Sequence, residues 1–247
     1  MNKRASIHSI VVGGTKGIGK TIAEAFVNSG HIVSIIGRSS PDFSCDLTDE
    51  ESIRLCVQKI LDVEPKPSNL VFCQRYRGTS LWLGEIATSL TATWRIIELL
   101  RDDLKEGASI VVIGSRANRF VAGEQPVGYH VAKAGLLQLV RYYALSLAEK
   151  GIRVNSVSTG TIIKDESKAF YAENQDLTAL YENAIPLGRM GVAVDVSNVV
   201  EFLCSSKASF LTGQDIVVDG GVSLQWHETL VREAGGLGGA PVTQKRS

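Results

Sequence analysis

Tyr129 and Lys133 stand four residues apart in Tyr-His-Val-Ala-Lys, fourteen residues after Ser115. On a helix this spacing puts both side chains on one face, one turn apart. A phenol in water releases its proton near pH ~10, too high for easy exchange at neutrality. An ammonium beside it favours the phenolate, so Lys133 is expected to make Tyr129 a usable general acid and base. Any amphipathic helix can carry such a pair by accident, and a second cluster is what gives it meaning. That cluster is Val11-Val12-Gly13-Gly14-Thr15-Lys16-Gly17-Ile18-Gly19. An apolar run over 7–12 precedes it and reads as a buried strand. Behind it Ile18, Ile22, Ala25 and Phe26 recur at helical spacing until Gly30. Strand, glycine turn and helix form the setting of a dinucleotide site, although the spacing is Gly-x3-Gly-x-Gly rather than GxGxxG. The glycines allow a tight turn, and backbone N–H groups at the helix start attract a pyrophosphate. The plainer reading is an ordinary turn between a strand and a helix.

The elements that must hold these groups alternate along the chain. Further apolar strands are expected at 32–36, 70–73, 109–113, 152–157 and 216–218. Helices are expected after Thr48, taken as an N-cap, with Ile53, Val57, Ile60 and Leu61 inward. A long one should cover 83–104, closed by Gly107, and another should run from Pro126 to Gly151 with Tyr129 and Lys133 on it. Such alternation predicts an α/β fold, a single-domain Rossmann-type doubly wound parallel sheet with helices on both faces. Ligands of such sheets bind beyond the C-terminal strand ends, where Gly13, Arg38, Cys73, Ser115 and Ser158 fall. Only eight residues separate Gly37 from Asp46, Pro41 among them, so a surface loop rather than a helix is expected there. The chain divides into 1–224 and a C-terminal extension, 225–247, Gly-rich and expected to be mobile from Gly235 on.

At this point the sequence resembles the short-chain dehydrogenase/reductase family, from residue 7 to 224. The likeness rests on Gly13/Gly17/Gly19, Asp46-Leu47-Thr48, Ser115, Tyr129/Lys133, Asn155 with Gly160, and Pro186-Leu187-Gly188-Arg189. It continues through Phe202-Leu203, Thr212-Gly213-Gln214 and Val218-Asp219-Gly220-Gly221. It implies an oxidoreductase that moves a hydride between a nicotinamide and a ketone or secondary alcohol, like NADP-preferring ketoreductase members. The carbonyl oxygen would sit between the hydroxyls of Ser115 and Tyr129, with Tyr129 delivering the proton and Ser115 steadying the developing charge. Lys133 would also bond the nicotinamide ribose. The cofactor would run past Gly13, Thr15, Lys16, Gly17, Ile18 and Gly19, with Asp46 and Leu47 at the adenine, unless Asp46 merely starts a helix. Cys73, Gln74, Gly160 and the backbone of Ile162 would meet its nicotinamide side. NAD enzymes place an acid at the end of the second strand to accept from the ribose 2′-hydroxyl. Here that place reads Gly37-Arg38-Ser39, and Lys16 adds a cation beside it, so NADP(H) is expected.

The sequence also departs from the family pattern. Cys73-Gln74-Arg75-Tyr76 replaces Asn-Asn-Ala-Gly, Ser89 aligns with the helix asparagine of the catalytic set, and Lys164 with a threonine that bonds the carboxamide. The alternative is therefore a non-catalytic NADP-binding homologue acting as a sensor or assembly partner. Intact Ser115, Tyr129 and Lys133 favour the enzyme. Residues 164–186 should roof the pocket. Arg75, Arg77, Arg116, Arg119 and Lys164 lie in loops after strand ends, which fits an anionic or carrier-linked carbonyl substrate, or else cofactor phosphates and solvent. Relatives form tetramers through the two long helices, so a homo-oligomer is expected, a tetramer or a dimer. Trp94, Tyr142 and Tyr143 would serve such an interface or an internal core. Zero net charge over 247 residues offers nucleic acid or membrane no global field. No apolar run approaches a membrane span, no separate signal peptide stands out, and four scattered cysteines fit a reducing cytoplasm. No metal-ligand spacing is present.

Overall fold

The structure, a computed structural model, describes residues 7–236. The first strand, β1 (His8–Val12), is buried on both faces, as its unbroken apolar run requires. Around it the parallel sheet is ordered β3-β2-β1-β4-β5-β6-β9. Here β2 is Ile32–Gly37, β3 Phe43–Ser44, β4 Asn69–Phe72, β5 Ser109–Ser115, β6 Arg153–Thr159 and β9 Asp215–Val218. Strand order reverses between β1 and β4, which opens a crevice at their C-terminal ends.

The period of two sorts each strand between two cores. Ile10, Val12, Ile110 and Val112 point into a cluster with Ile53, Ile96, Leu136 and Tyr143. Those residues come from α2 (Glu50–Val63), α4 (Ala92–Leu100) and α5 (Val127–Ser146). Val11, Val111 and Ile113 point the other way, to Ile22, Phe26, Val196 and Leu203 of α1 (Gly17–Asn28) and α8 (Ala193–Cys204). Helices on both faces are what the alternation of elements predicted.

Several expectations need correction. The N-cap of α2 is Asp49, not Thr48: its carboxylate accepts from the N–H groups of Glu51 and Ser52. Thr48 instead donates through its N–H and hydroxyl to Asp46 Oδ1, at 2.9 and 2.7 Å. The stretch from 37 to 46 is a loop, as expected, but it also contributes the edge strand β3, paired in parallel with β2. The long helix expected over 83–104 is three pieces: α3 (Leu83–Glu85), a π-helical turn (Ile86–Thr91) and α4, which stops at Leu100. Thr93 Oγ1 donates to the carbonyl of Ser89 at 2.7 Å, a side chain entering the backbone ladder where the helix is widened. The next helix, α5, begins after Pro126 as expected but ends at Ser146, and a 3₁₀ turn (Ala148–Lys150) carries the chain to Gly151, whose φ is +65°.

The roof is helical, with α6 (Lys168–Glu173) and α7 (Gln175–Ala184) following a 3₁₀ turn (Asp165–Ser167). Two short strands, β7 (Ile162–Ile163) and β8 (Gly191–Val192), pair with each other at its base. A last helix, α9 (His227–Ala234), falls in the C-terminal extension. The mobility expected of the tail lies outside the described residues beyond position 236.

Candidate active site

The crevice at the C-terminal strand ends is a cavity of about 960 Å³. The glycine turn forms one end. Gly13 holds a φ of +81°, and a Cβ there would lie 2.6 Å from the backbone nitrogen of Gln74. At Gly19 a Cβ would sit 2.3 Å from the carbonyl oxygen of Gly13. Both positions therefore admit only glycine, and the turn presses directly on the strand end after β4. The helix that follows, α1, has Lys16 as its N-cap with no side-chain cap and no acid in its first turn. Its start thus has no cap and no acid of its own, which suits a phosphate.

Gly13, Thr15, Lys16, Gly17, Ile18, Gly19, Arg38, Ser39, Asp46, Leu47, Cys73, Gln74, Tyr129 and Lys133 all line this cavity. Glycine turn, adenosine-side loop and the tyrosine–lysine pair thus share one space. The arrangement fits a dinucleotide: an uncapped helix start for the pyrophosphate, and Arg38 with Lys16 at the far rim. The hydroxyl and N–H of Thr48 hold the Asp46 carboxyl below its usual range, so that rim carries a fixed negative charge beside Arg38.

At the reacting end Tyr129 is half-buried on the first turn of α5. Lys133 is 6 % exposed, and its Nζ donates to the carbonyl of Ile113 at 2.9 Å. That Nζ lies 5.7 Å from the centre of the Tyr129 ring. Burial pushes the lysine down to about 8. The start of α5 is pinned by His130, whose Nε2 accepts from the N–H of Ala122 and whose Nδ1 faces the carbonyl of Pro126. A backbone donor on Nε2 places the ring proton on Nδ1.

Other expected residues take different places. Ser115 ends β5, and its Oγ accepts from the N–H of Ala117, which leaves the hydroxyl proton for another acceptor. It is not on the cavity wall, although its neighbour Gly114 is. Ser89 is buried in the π turn, behind the wall, with its hydroxyl donating to Glu85 Oε2 at 3.3 Å. Gly160 packs against Asp219, where a Cβ would approach within 2.7 Å. Ile162 belongs to the core beneath β7. Neither of the last two lines the cavity, while Thr159 and Lys164 do.

The loop that replaces Asn-Asn-Ala-Gly closes the site with large side chains. The Tyr76 side chain lies in room made by two glycines: a Cβ at Gly78 would come 2.2 Å from its hydroxyl and one at Gly84 2.1 Å from its ring. Its hydroxyl accepts from the N–H of Ser80. Arg75 lies over the Tyr129 ring, 5.0 Å from its centre, and donates to Gln125 Oε1. With Arg77 and Lys164 it makes one wall cationic. Arg116 and Arg119, expected on that rim, instead face Asp219 and Asp215, at 3.2 and 3.7 Å. Those aspartates are nearly buried and attract the nearest guanidinium. Burial, together with Arg75 and Arg77, lowers Lys164. Desolvation pushes the Cys73 thiol up to about 12, so it is no nucleophile at neutrality.

Glu85 and Glu166 were not anticipated. Glu85 is buried beneath Ser89, a placement hinted at by their i,i+4 spacing. Glu166 lines the cavity, and a Cβ on Gly17 would meet its Oε1 at 3.1 Å. A roof residue folding back onto the glycine turn leaves no local signal in the sequence. Among the described residues no cluster suited to a metal is present. Among them no helix is long and apolar enough to cross a membrane.

A doubly wound parallel sheet with a glycine turn and a Tyr–Lys pair in one crevice defines a dinucleotide-binding α/β protein. Comparison with known proteins narrows this. Residues 75–223 match the family model described as "Enoyl-(Acyl carrier protein) reductase". A 3-oxoacyl-[acyl-carrier-protein] reductase, FabG, of Aquifex aeolicus is 30% identical over 241 residues, covering 87% of this chain and 96% of that protein. A short-chain dehydrogenase family protein of Francisella tularensis superposes with a TM-score of 0.77 at 28% identity, over 90% of this chain and all of that one. The ligand-free aldohexose dehydrogenase of Thermoplasma acidophilum superposes with a TM-score of 0.80 at 26% identity, over 90% and 96%. The chain belongs to the short-chain dehydrogenase/reductase family.

Proposed function

We propose that this protein is an NADPH-dependent carbonyl reductase, and that Tyr129 is its general acid and base. The observation that carries this reading is the convergence of Tyr129 and Lys133 on the cavity whose other end is the glycine turn. Gly13, Gly17 and Gly19, with the start of α1, would hold the pyrophosphate. Arg38 and Lys16 would hold a 2′-phosphate, since β2 ends with no acid to take a free 2′-hydroxyl. Bound NADPH would supply the hydride to the carbonyl carbon. Tyr129 delivers its phenolic proton to the carbonyl oxygen. Ser115 keeps a hydroxyl proton free of its bond to Ala117, and would have to turn from the end of β5 into the cleft to donate it to the same oxygen. The Lys133 ammonium stabilises the negative charge that proton transfer leaves on Tyr129.

FabG-type relatives are named as reductases of carrier-linked 3-oxoacyl groups, which supports an enzyme over a non-catalytic binder. The cationic wall of Arg75, Arg77 and Lys164 supports a carbonyl substrate bearing a negative charge, free or on a phosphopantetheine-like carrier arm. A homo-oligomer is part of this reading, supported by the apolar groove that α4 and α5 line.

The test is NADPH oxidation against matched ketones with and without an acidic group. Tyr129→Phe should lower kcat by about 10³-fold or more, with NADPH affinity changed less than about threefold. Full turnover in Tyr129→Phe would overturn the mechanism. Equal kcat/KM for acidic and neutral ketones at all ionic strengths would remove the charged substrate.

A further inference from the structure

The wall facing Tyr129 carries an arginine that no acid neutralises. Arg75 follows the end of β4 in Cys73-Gln74-Arg75-Tyr76, the segment that departs from the family pattern. Its guanidinium lies over the Tyr129 ring, 5.0 Å from the centre. Its Nη2 donates to Gln125 Oε1 at 2.6 Å, a bond from the loop after β4 to the loop before α5. Gln125 is neutral, so it aims the guanidinium without cancelling its charge. Among the described residues no carboxylate makes an ion pair with Arg75. Arg116 and Arg119 show the contrast, since each faces an aspartate. An arginine kept only for solvation would project into water; this one is exposed yet tied across the cleft.

The loop that carries it is held as well. The Tyr76 side chain fills the room left by Gly78 and Gly84, and its hydroxyl accepts from the N–H of Ser80 at 3.1 Å. A cation already aimed and supported loses less freedom when it grips a ligand. The acids of the cavity stand elsewhere. Among the described residues Asp46 and Glu166 alone line it, the first beside Arg38 and the second beside Gly17. The reacting end therefore offers an anion no competitor.

Reach sets the class of ligand. The phenolic oxygen belongs to the ring that Arg75 covers, so a carbonyl bonded to it has the guanidinium beside its own substituents. Gln125 takes one of the N–H donors, and the rest can grip both oxygens of a carboxylate. A carboxylate on the carbonyl carbon, or one carbon further, falls beneath that fork. One at the far end of a longer chain does not, and a thioester has none.

We propose that Arg75 is the specificity-determining residue of this site: its guanidinium, aimed over Tyr129 by Gln125, anchors the free carboxylate of a short 2-oxo or 3-oxo acid whose carbonyl lies at Tyr129. The inference rests on the carbonyl-reductase reading and selects the free acid over the carrier-linked substrate. Arg77 and Lys164 strengthen the positive field on the same wall without being the anchor.

Oxamate, the amide analogue of a 2-oxo acid, accepts no hydride, so its binding needs no turnover. Calorimetry with and without saturating NADPH reads it. Arg75→Gln should weaken oxamate binding about ten- to a hundredfold, as expected for lost charge-assisted bonds. Arg75→Lys should recover only part, because an ammonium lacks the planar fork. Gln125→Ala should weaken binding by a smaller factor with Arg75 intact. In turnover, kcat/KM for acetoacetate should exceed that for its methyl ester by about tenfold or more in the wild type, and the ratio should approach one in Arg75→Gln. For 5-oxohexanoate the acid should hold no such advantage over its ester. Oxamate that fails to bind the wild type, or binds Arg75→Gln equally well, overturns the proposal. So does Arg77→Gln if it weakens binding as much as Arg75→Gln, since that marks a diffuse field in place of an anchor. A wild type that prefers an acetoacetyl thioester to the free acid also overturns it. Absence of any carbonyl reduction would instead remove the proposed function, and oxamate binding would still decide the role of Arg75.

Discussion

Lys133 carries opposed demands of function and stability. The proposed chemistry wants an ammonium next to Tyr129, and burial works against it, taking the lysine to about 8 from an ordinary 10.5. At this group the folded chain therefore binds fewer protons than the unfolded chain between those values, and its contribution to stability rises as pH climbs through that window. Below pH 8 the full cost of holding the charge is present. From pH 7 to 9.5, this one group should add about 2 kcal/mol to the wild-type unfolding free energy. Lys133→Met lacks the titration, so its stability relative to wild type should fall by about that amount over the same interval. Denaturant unfolding of both proteins at the two pH values measures it, and a constant difference would contradict the buried-ammonium reading. The sequence exposed this residue well: Tyr129 and Lys133 needed only the four-residue helical spacing to be placed together. Ser115 was placed at a strand end by its apolar run, but its bond to Ala117 depends on the 3₁₀ turn (Arg116–Asn118) that follows. Glu85 escaped notice because an acid in a helix is ordinarily solvated, and its burial is tertiary, with no local signal in the sequence.

The elements show the same division. Strands buried on both faces declare themselves as apolar runs, so β1, β4, β5 and β6 were legible to within two residues. The π turn was not, because Ile86–Thr91 has the composition of any helix and nothing in that segment's sequence separates it from one. The roof was legible as helix-prone, yet its contact with the glycine turn is tertiary. Glu166 reaches the space beside Gly17, at the positive end of α1 where a phosphate would bind. A carboxylate there competes with the phosphate for the same N–H groups and repels its charge. Glu166→Gln should then tighten NADPH binding about two- to tenfold, from a dipole interaction of ~0.3–1 kcal/mol and relief of the repulsion. Fluorescence titration at low ionic strength reads this out, and the gain should shrink as salt is added. Unchanged or weaker binding would mean that the carboxylate stays clear of the phosphate position.

At the scale of the whole molecule, the two faces of the sheet are covered by helices, and α4 and α5 turn an apolar groove to solvent. Tyr143 lies inside the core, 1 % exposed, its hydroxyl donating to Glu98 at 2.6 Å. Trp94 and Tyr142, expected with it at an interface or in a core, are 40 % and 63 % exposed. With Leu90, Thr91, Gly135, Gln138 and Leu139 they line an apolar groove between the π turn, α4 and α5. Gly135 makes the groove possible, since a Cβ there would press on Leu90 at 3.0 Å. A concave apolar surface flanked by two aromatic rings is costly in water and suits a two-fold contact, in which each copy's ring enters the other's hollow. Wild-type protein should therefore sediment as a dimer or larger species at micromolar concentration. Trp94→Glu combined with Tyr142→Glu places two charges in that contact and should yield monomer with an unchanged far-UV spectrum. The groove also borders the π turn that holds Ser89 and Glu85, so dissociation should lower turnover as well as mass. A wild-type monomer, or a double variant that stays assembled, would show that this face is not where copies of the chain meet.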